Sequence, residues 1–149
     1  MEQDNKQNKK KPTLSQLASQ YASAKLIAHA YHHQTKGEPF FADHAFFGEL
    51  YEAYDTAFDN LVERVIGLGE ANSSASIIAK ACEDFQTCVD DGYFEGNLFA
   101  CILDIEMAFQ HTISDLNPDA TLGTQNLLAQ LADDSETRCY KLSQRVAWE

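Results

Sequence analysis

The chain has 149 residues, a length that predicts a single domain able to bury a core without disulfides or structural metal. Its formal net charge of −12 disfavours nucleic acid as a partner of the body and favours metal cations. No apolar run approaches the roughly 20 residues of a membrane span, and the first residues lack the apolar stretch of a signal peptide. We therefore expect a cytoplasmic protein with no membrane partner.

The charge is distributed unevenly along the chain. Residues 1–11 contain two acidic residues and four lysines, Lys6, Lys9, Lys10 and Lys11, whereas the rest contains seven basic and 21 acidic residues. We expect a flexible tail over residues 1–11 and an acidic domain over residues 12–149. One tail makes few phosphate contacts and is interpreted as a solubilising leader. Many tails on one particle would bind DNA by avidity and place the protein on the nucleoid.

The first helix is predicted over about residues 13–35. Thr13 is a suitable N-cap, and Gln16 occupies the capping-box position. Apolar residues then recur at helical spacing, at Leu14, Leu17, Tyr21, Ala24 and Ala28. Gly37 and Pro39 end the helix and predict a short turn.

Four further helices are predicted. The second covers about residues 41–68, a short one lies within residues 72–89 behind capping serines, and the third covers about residues 91–116. The last begins at Asp119 or Thr121 and continues nearly to the C-terminus. There is no strand alternation, and seven glycines with three prolines are few. The chain is predicted to be all-α, a four-helix bundle with a short extra helix between the second and third helices.

The four cysteines follow no pattern typical of a disulfide framework or a zinc finger. Cys82, Cys88, Cys101 and Cys139 form no CxxC pair and have no histidine at zinc-finger spacing. They are predicted to be small core residues in a reducing compartment.

The second helix contains more aromatic residues than one core stripe requires. They are Phe40, Phe41, Phe46, Phe47, Tyr51, Tyr54 and Phe58. Part of this helix is therefore expected to pack against another subunit.

The candidate functional residues are His32, His44, Asp59 and Glu63. Imidazole and carboxylate groups together are a ligand set suited to redox-active iron. Asp59 and Glu63 are four residues apart and so share one helix face, and the turn brings His32 back beside His44. His44 and Asp59 are 15 residues apart on one helix, or about 22 Å at about 1.5 Å per residue. One chain therefore cannot bring all four to one ion.

Two subunits can assemble this set if their second helices pack antiparallel across a two-fold axis. Each dimer would then hold two equivalent sites, with His32 and His44 from one chain and Asp59 and Glu63 from the other. The alternative is that both histidines are hydrogen-bonded core or interface residues and that the carboxylates are solvated or paired with a basic side chain. The remaining histidines, His29, His33 and His111, match no such arrangement and are interpreted as ordinary structural residues.

The segment from His32 to Arg64 resembles the signature of the Dps proteins, the miniferritins named for DNA protection during starvation. That signature has a histidine at the end of the first helix, a glycine five residues on, aromatics, a second histidine, an aspartate and a Glu-Arg pair. The matching residues are His32, Gly37, Phe40, Phe41, His44, Asp59, Glu63 and Arg64. The extra helix and the GTQNLL segment at the start of the last helix extend the resemblance to the whole chain.

This resemblance implies a ferritin-like bundle whose dimers assemble into a hollow homo-dodecamer. It implies ferroxidase activity, in which the four ligands hold iron at a di-iron or mono-iron site shared between two subunits. Ferrous iron would be oxidised there, preferably by hydrogen peroxide, stored as ferric mineral in the shell, and so kept from damaging DNA. The lysine tail, as in some Dps proteins, would bind DNA.

Three departures from the family pattern bear on these expectations. Gly48 stands where the family usually has a supporting aspartate, so a second iron position is expected to be weakened unless Glu49 or water substitutes. The family commonly has a tryptophan directly after the first histidine, and radical quenching is ascribed to it. This chain has His33 there, so that role is not expected at this position. Thr121 and Asn126 stand at two positions that are often acidic in the family's iron-entry pore. The nearby acids that would compensate are Asp119, Asp133 and Asp134.

Two alternative functions arise for a helical bundle, and the sequence disfavours the first of them. A di-iron site inside one chain requires Glu-x-x-His motifs, and none occurs, since Glu106 and His111 are five residues apart and point to different faces. A Dps-like shell whose ferroxidase is weakened by Gly48 would act mainly as a DNA-binding or structural protein.

Overall fold

The computed structural model describes residues 10–147, in which all regular elements are helical. The helices are α1 (Leu14–Gln34), α2 (Phe40–Gly67), α3 (Ala75–Asp90), α4 (Leu98–Leu116) and α5 (Leu122–Val146), with a 3-10 turn at Asn117–Asp119. The all-α prediction is confirmed. None of the helices within residues 10–147 combines the length and the hydropathy of a membrane-spanning segment. Lys6 and Lys9 of the predicted tail lie outside the described residues.

The helix starts follow from local capping. The Thr13 hydroxyl accepts from the Gln16 amide and the Gln16 side chain accepts from the Thr13 amide, which confirms the predicted capping box. The Thr121 hydroxyl accepts from the Thr124 amide and caps α5, so of the two predicted starts, Asp119 and Thr121, the second is correct. The extra helix, α3, is confirmed but has 16 residues and is therefore not short.

The predicted start of the third long helix near Asp91 is wrong. α4 begins seven residues later, at Leu98, because Gly92 and Gly96 both adopt positive φ and interrupt the helix. Asn97 then caps α4 by accepting a hydrogen bond from the Ala100 amide.

The helices pack as antiparallel pairs around one core. The turn at residues 35–39 folds α2 back along α1, α4 pairs with α5, and α1 also contacts α3 and α4. The apolar stripe predicted for α1, formed by Leu14, Leu17, Tyr21, Ala24 and Ala28, is entirely buried. Phe47, Tyr54 and Phe109 complete the centre, where the Tyr21 ring stacks on Phe109 at 4.0 Å. The helical periodicity therefore identified the core face correctly.

The cysteines fit their predicted role only in part, since Cys88 and Cys101 pack against the core but none of the four is fully buried. All four are free, Cys82 is exposed, and Cys88, Cys101 and Cys139 are only partly buried. Burial raises the pKa of Cys88 and of Cys139, which disfavours the reactive thiolate at these two positions.

One charged group lies at the centre of the packed helices. The Glu106 side chain on α4 is completely buried and forms an ion pair with Arg138 on α5. Tyr54 of α2 donates to its Oε1 at 2.5 Å, and Ser135 of α5 donates to its Oε2 at 2.7 Å. Burial and the charge of Glu106 raise the pKa of Tyr54 well above its ordinary value, so the phenol remains a donor. The carboxylate thus joins three helices.

We expect Arg138→Met to lower the free energy of unfolding by about 3–5 kcal/mol, because Glu106 is left buried without its cation. Adding Glu106→Gln is expected to recover part of this loss, since the remaining buried group is neutral. Urea unfolding followed by circular dichroism measures both effects. Lys80→Ala, which removes an exposed pair with Asp84 on α3, is the control and should change stability little. A loss for Arg138→Met no larger than that of the control would contradict the expectation.

Candidate metal site

The turn between α1 and α2 brings two candidate ligands into direct contact. The Nδ1 of His32 lies 2.7 Å from the backbone oxygen of His44, and the Nδ1 of His44 lies 2.8 Å from the backbone oxygen of His32. The two rings stack with their centroids 3.6 Å apart and their planes at 24°. Both residues are half-buried. The approach of the two imidazoles that the sequence predicts is therefore present.

These crossed hydrogen bonds fix the tautomer of both rings in their neutral form. A carbonyl oxygen can only accept, so Nδ1 of each neutral ring must carry the proton and donate it. The second nitrogen, Nε2, then keeps its lone pair, and neither Nε2 is hydrogen-bonded within residues 10–147. Metal-binding histidines commonly donate their other N–H to a carbonyl in this way. The rings are thus held in the tautomer that a metal ion requires.

Asp43 and Arg145 hold the start of α2 next to this pair. The Arg145 guanidinium donates to both carboxylate oxygens of Asp43, at 2.7 and 3.2 Å, and lies over the Phe99 ring at 4.3 Å. Because Asp43 directly precedes His44, this contact between α2 and α5 positions the His44 backbone. Neither residue was predicted, since the two are 102 positions apart in the sequence.

Asp59 and Glu63 lie elsewhere on α2. Both are exposed, and neither forms an ion pair with another residue of the described chain, so the alternative of a basic partner for Glu63 finds no support. Because α2 is continuous from Phe40 to Gly67, about 22 Å separates Asp59 from His44. Within residues 10–147 of one chain, no three His, Cys, Asp or Glu side chains are grouped as a metal site. One chain alone does not unite the four candidates.

Gly48 is in contact with the histidine pair. A Cβ at this position would lie 3.3 Å from both Cε1 and Nδ1 of His32, closer than an ordinary van der Waals contact. The absence of a side chain therefore allows α2 to approach the His32 ring. Glu49, the suggested substitute for the family's aspartate, is exposed.

His29 and His33, which the sequence did not associate with the site, lie beside it. The His33 ring is 5.4 Å from His32 and 4.7 Å from His29, centroid to centroid. The His29 ring stacks on Tyr51 of α2 at 4.1 Å, and Tyr51 is 5.4 Å from His32. The i, i+4 spacing of the two histidines was the signal that could have identified them.

His111, by contrast, is exposed on α4, and its Nε2 lies 3.6 Å from Asp115. Glu106 is buried, so His111 and Glu106 point to different faces of α4, as their five-residue spacing predicts.

The remaining candidates lie at the surface. Of the two tail lysines within residues 10–147, Lys11 pairs with Asp119 at 2.8 Å and Lys10 is exposed. The residues considered for an iron pore, Thr121, Asn126, Asp119, Asp133 and Asp134, are all exposed.

A comparison with models of known protein families, with curated proteins and with solved structures finds no match to this chain. What supports a functional assignment is therefore the geometry of the histidine pair and the spacing of the candidate ligands in the sequence.

We expect Gly67→Ala to stabilise the protein by up to about 1 kcal/mol, because its Cβ meets nothing within 4 Å in α2. Gly48→Ala lies deeper in the same helix, yet it should gain less, because its methyl group crowds His32. The Gly48→Ala variant should also shift the Cε1–H NMR signal of His32, whereas Gly67→Ala should not. Urea unfolding and the NMR spectra of both variants are the measurements. Equal gains with unchanged His32 signals would contradict the proposed contact.

Proposed function

We propose that this protein is a Dps-like miniferritin with a ferritin-like four-helix bundle. Its substrate is ferrous iron, which it oxidises with hydrogen peroxide at sites shared between two subunits and stores as ferric mineral in a dodecameric shell. The observation that carries the proposal is the pair of crossed hydrogen bonds between His32 and His44. These bonds leave the Nε2 lone pair of both stacked rings without a hydrogen bond within residues 10–147, while the carboxylates that would complete the site lie on the same helix but out of reach.

Two α2 helices that pack antiparallel complete the ligand set. His44 is near the start of α2 and Asp59 is past its middle, so reversing one helix against the other brings the histidine of each chain toward the carboxylates of its neighbour. Phe41, 85% exposed at the start of α2, and the partly buried Phe46, Tyr51 and Phe58 supply apolar surface for this contact. The exposure of Asp59 and Glu63 in the single chain is consistent with a role at such an interface.

The residues have complementary roles in the proposed reaction. The imidazoles of His32 and His44 bind ferrous iron through Nε2, and the carboxylates of Asp59 and Glu63 favour the ferric product by their charge. Two ferrous ions each give one electron to hydrogen peroxide; its O–O bond breaks, and two protons complete two molecules of water. Because peroxide and ferrous iron are consumed together, less hydroxyl radical forms and DNA is protected.

The second candidate function is a Dps-like shell that oxidises iron poorly and acts mainly by binding DNA or as a structural protein. The observation that favours it is Gly48, where an added side chain would crowd His32, so the family's aspartate cannot be accommodated without a shift. DNA binding would depend on the lysines of the tail, and one of them, Lys11, already pairs with Asp119.

Mixed oligomers test whether the site is shared. We expect His44→Ala and Asp59→Ala each to abolish oxidation when present alone, but co-expressing the two in equal amounts should restore about a quarter of the wild-type rate. Half of the random dimers would be mixed, and each mixed dimer would have one intact site of two. The rate is followed by the absorbance of ferric species after peroxide is added to the protein and ferrous iron under anaerobic conditions.

A matched mixture distinguishes this arrangement from a site within one chain. Wild type co-expressed with the double variant His44→Ala/Asp59→Ala should also give about a quarter of the rate, because mixed dimers then hold no intact site. A single-chain site would give no activity in the first mixture and about half in the second. Each variant should keep the particle mass of the wild type, expected to be twelve chains of 16.7 kDa. His111→Ala is the surface control and should oxidise iron normally.

For the tail, we expect the full chain to retard DNA in a gel more strongly than a shortened chain that begins at Pro12. The difference should be large at low salt and small at physiological salt, because the lysine contacts are with phosphates. Equal retardation by both chains at low salt would remove the lysines from the proposal.

A further inference from the structure

We propose that His29 and His33 form a second metal-binding site, which takes a divalent ion of the zinc or cobalt type from one chain alone. This site requires neither Asp59 nor Glu63, and it is therefore independent of the proposed function. The observation behind it is that two imidazoles one helical turn apart lie with their centroids 4.7 Å apart near the end of α1.

The spacing and separation suit a shared ion. Residues four apart on an α-helix lie one above the other, and histidine pairs at this spacing bind zinc in metalloprotease helices. Two rings whose nitrogens both lie about 2.1 Å from one ion have centres roughly 5 Å apart. The observed separation of 4.7 Å is close to this value, so the two rings are near enough to share one ion.

The His29 ring is held in place before any ion binds. It stacks on Tyr51 of α2, with the centroids 4.1 Å apart and the planes at 27°. No hydrogen bond to another described residue occupies the ring nitrogens of His29 or His33. His33 is exposed and His29 half-buried, so water can complete the coordination sphere. The pair thus offers two imidazoles and open positions, a donor set suited to borderline divalent ions.

The electrostatic environment favours a cation at this place. α1 ends at Gln34, so the pair is close to the negative end of the helix dipole. Lys25, one turn before His29, would repel a cation, but its ammonium group is paired with Asp55 at 2.8 Å.

Counting bound zinc per chain by equilibrium dialysis of the full-length protein is the test. We expect His33→Ala to lose one bound ion per chain relative to its parent, both in the wild type and in an Asp59→Ala background. His33 is exposed, so this substitution should not unfold the chain. The control is His33→Ala/Gln34→His, which keeps the number of histidines but places them five residues apart on different helix faces, and it should also lose the ion. His111→Ala should lose none.

The outcomes separate the two proposals. If His33→Ala binds as much zinc as its parent in both backgrounds, the His29–His33 site is overturned, even if Asp59→Ala lowers the count. If only His33→Ala lowers the count, this site stands and the shared site with Asp59 does not. Cobalt(II) provides a second readout, since it should broaden the NMR signals of His29 and His33 in Asp59→Ala. Absence of that broadening would equally overturn the site.

Discussion

Two hydrogen bonds that cross between α1 and α2 determine what the candidate site can do. Each connects the Nδ1 of one histidine to the backbone oxygen of the other, so the side chain of His32 is fixed by the backbone of α2 and the side chain of His44 by the backbone of α1. The bonds can form only because the turn at residues 35–39 returns the chain at once. They hold both imidazoles in one tautomer, and every role proposed for these residues depends on that tautomer.

The rest of the fold keeps these two helix ends in place. Asp43 and Arg145 connect the start of α2 to the end of α5, and the buried Glu106 connects α2, α4 and α5 through Tyr54, Ser135 and Arg138. Removing one partner of a buried ion pair is strongly destabilising, because the other charge is left without compensation. A slip of α2 against α5 would break both contacts at once. The position of His44 is therefore specified by charge pairing as well as by core packing.

Much of the fold was predictable because it depends on local signals. The apolar stripe and the Thr13 cap identified α1, and Thr121 was one of the two starts predicted for α5. The start of α4 was misplaced because Tyr93 and Phe94 prolong the apolar pattern, although they lie in a loop whose glycines at 92 and 96 adopt positive φ. Hydrophobic periodicity records which residues are buried, and it does not record where the backbone leaves the helix.

The site was predictable only where spacing along the chain sets geometry. The turn implied that His32 meets His44, and the length of α2 implied that Asp59 is out of reach. The contacts of His29 with Tyr51, and of Glu106 with Arg138, depend on the register between helices distant in sequence. No single-sequence pattern encodes that register, so His29 was interpreted as an ordinary structural residue and the pairing of Glu106 with Arg138 was not predicted.

Gly48 connects the geometry of the histidine pair with its chemistry. The side-chain position where the resembled family has a carboxylate is here filled by the His32 ring, since a Cβ would lie 3.3 Å from two of its atoms. The chain thus has a closely packed imidazole pair where the resembled family adds a carboxylate beside its histidines, and His29 and His33 lie next to this pair on α1. Nitrogen ligands favour divalent ions, whereas carboxylates favour ferric iron. At the proposed iron site, the missing oxygen ligand should therefore lower the rate of oxidation more than the binding of ferrous iron, because carboxylates act mainly on the ferric product.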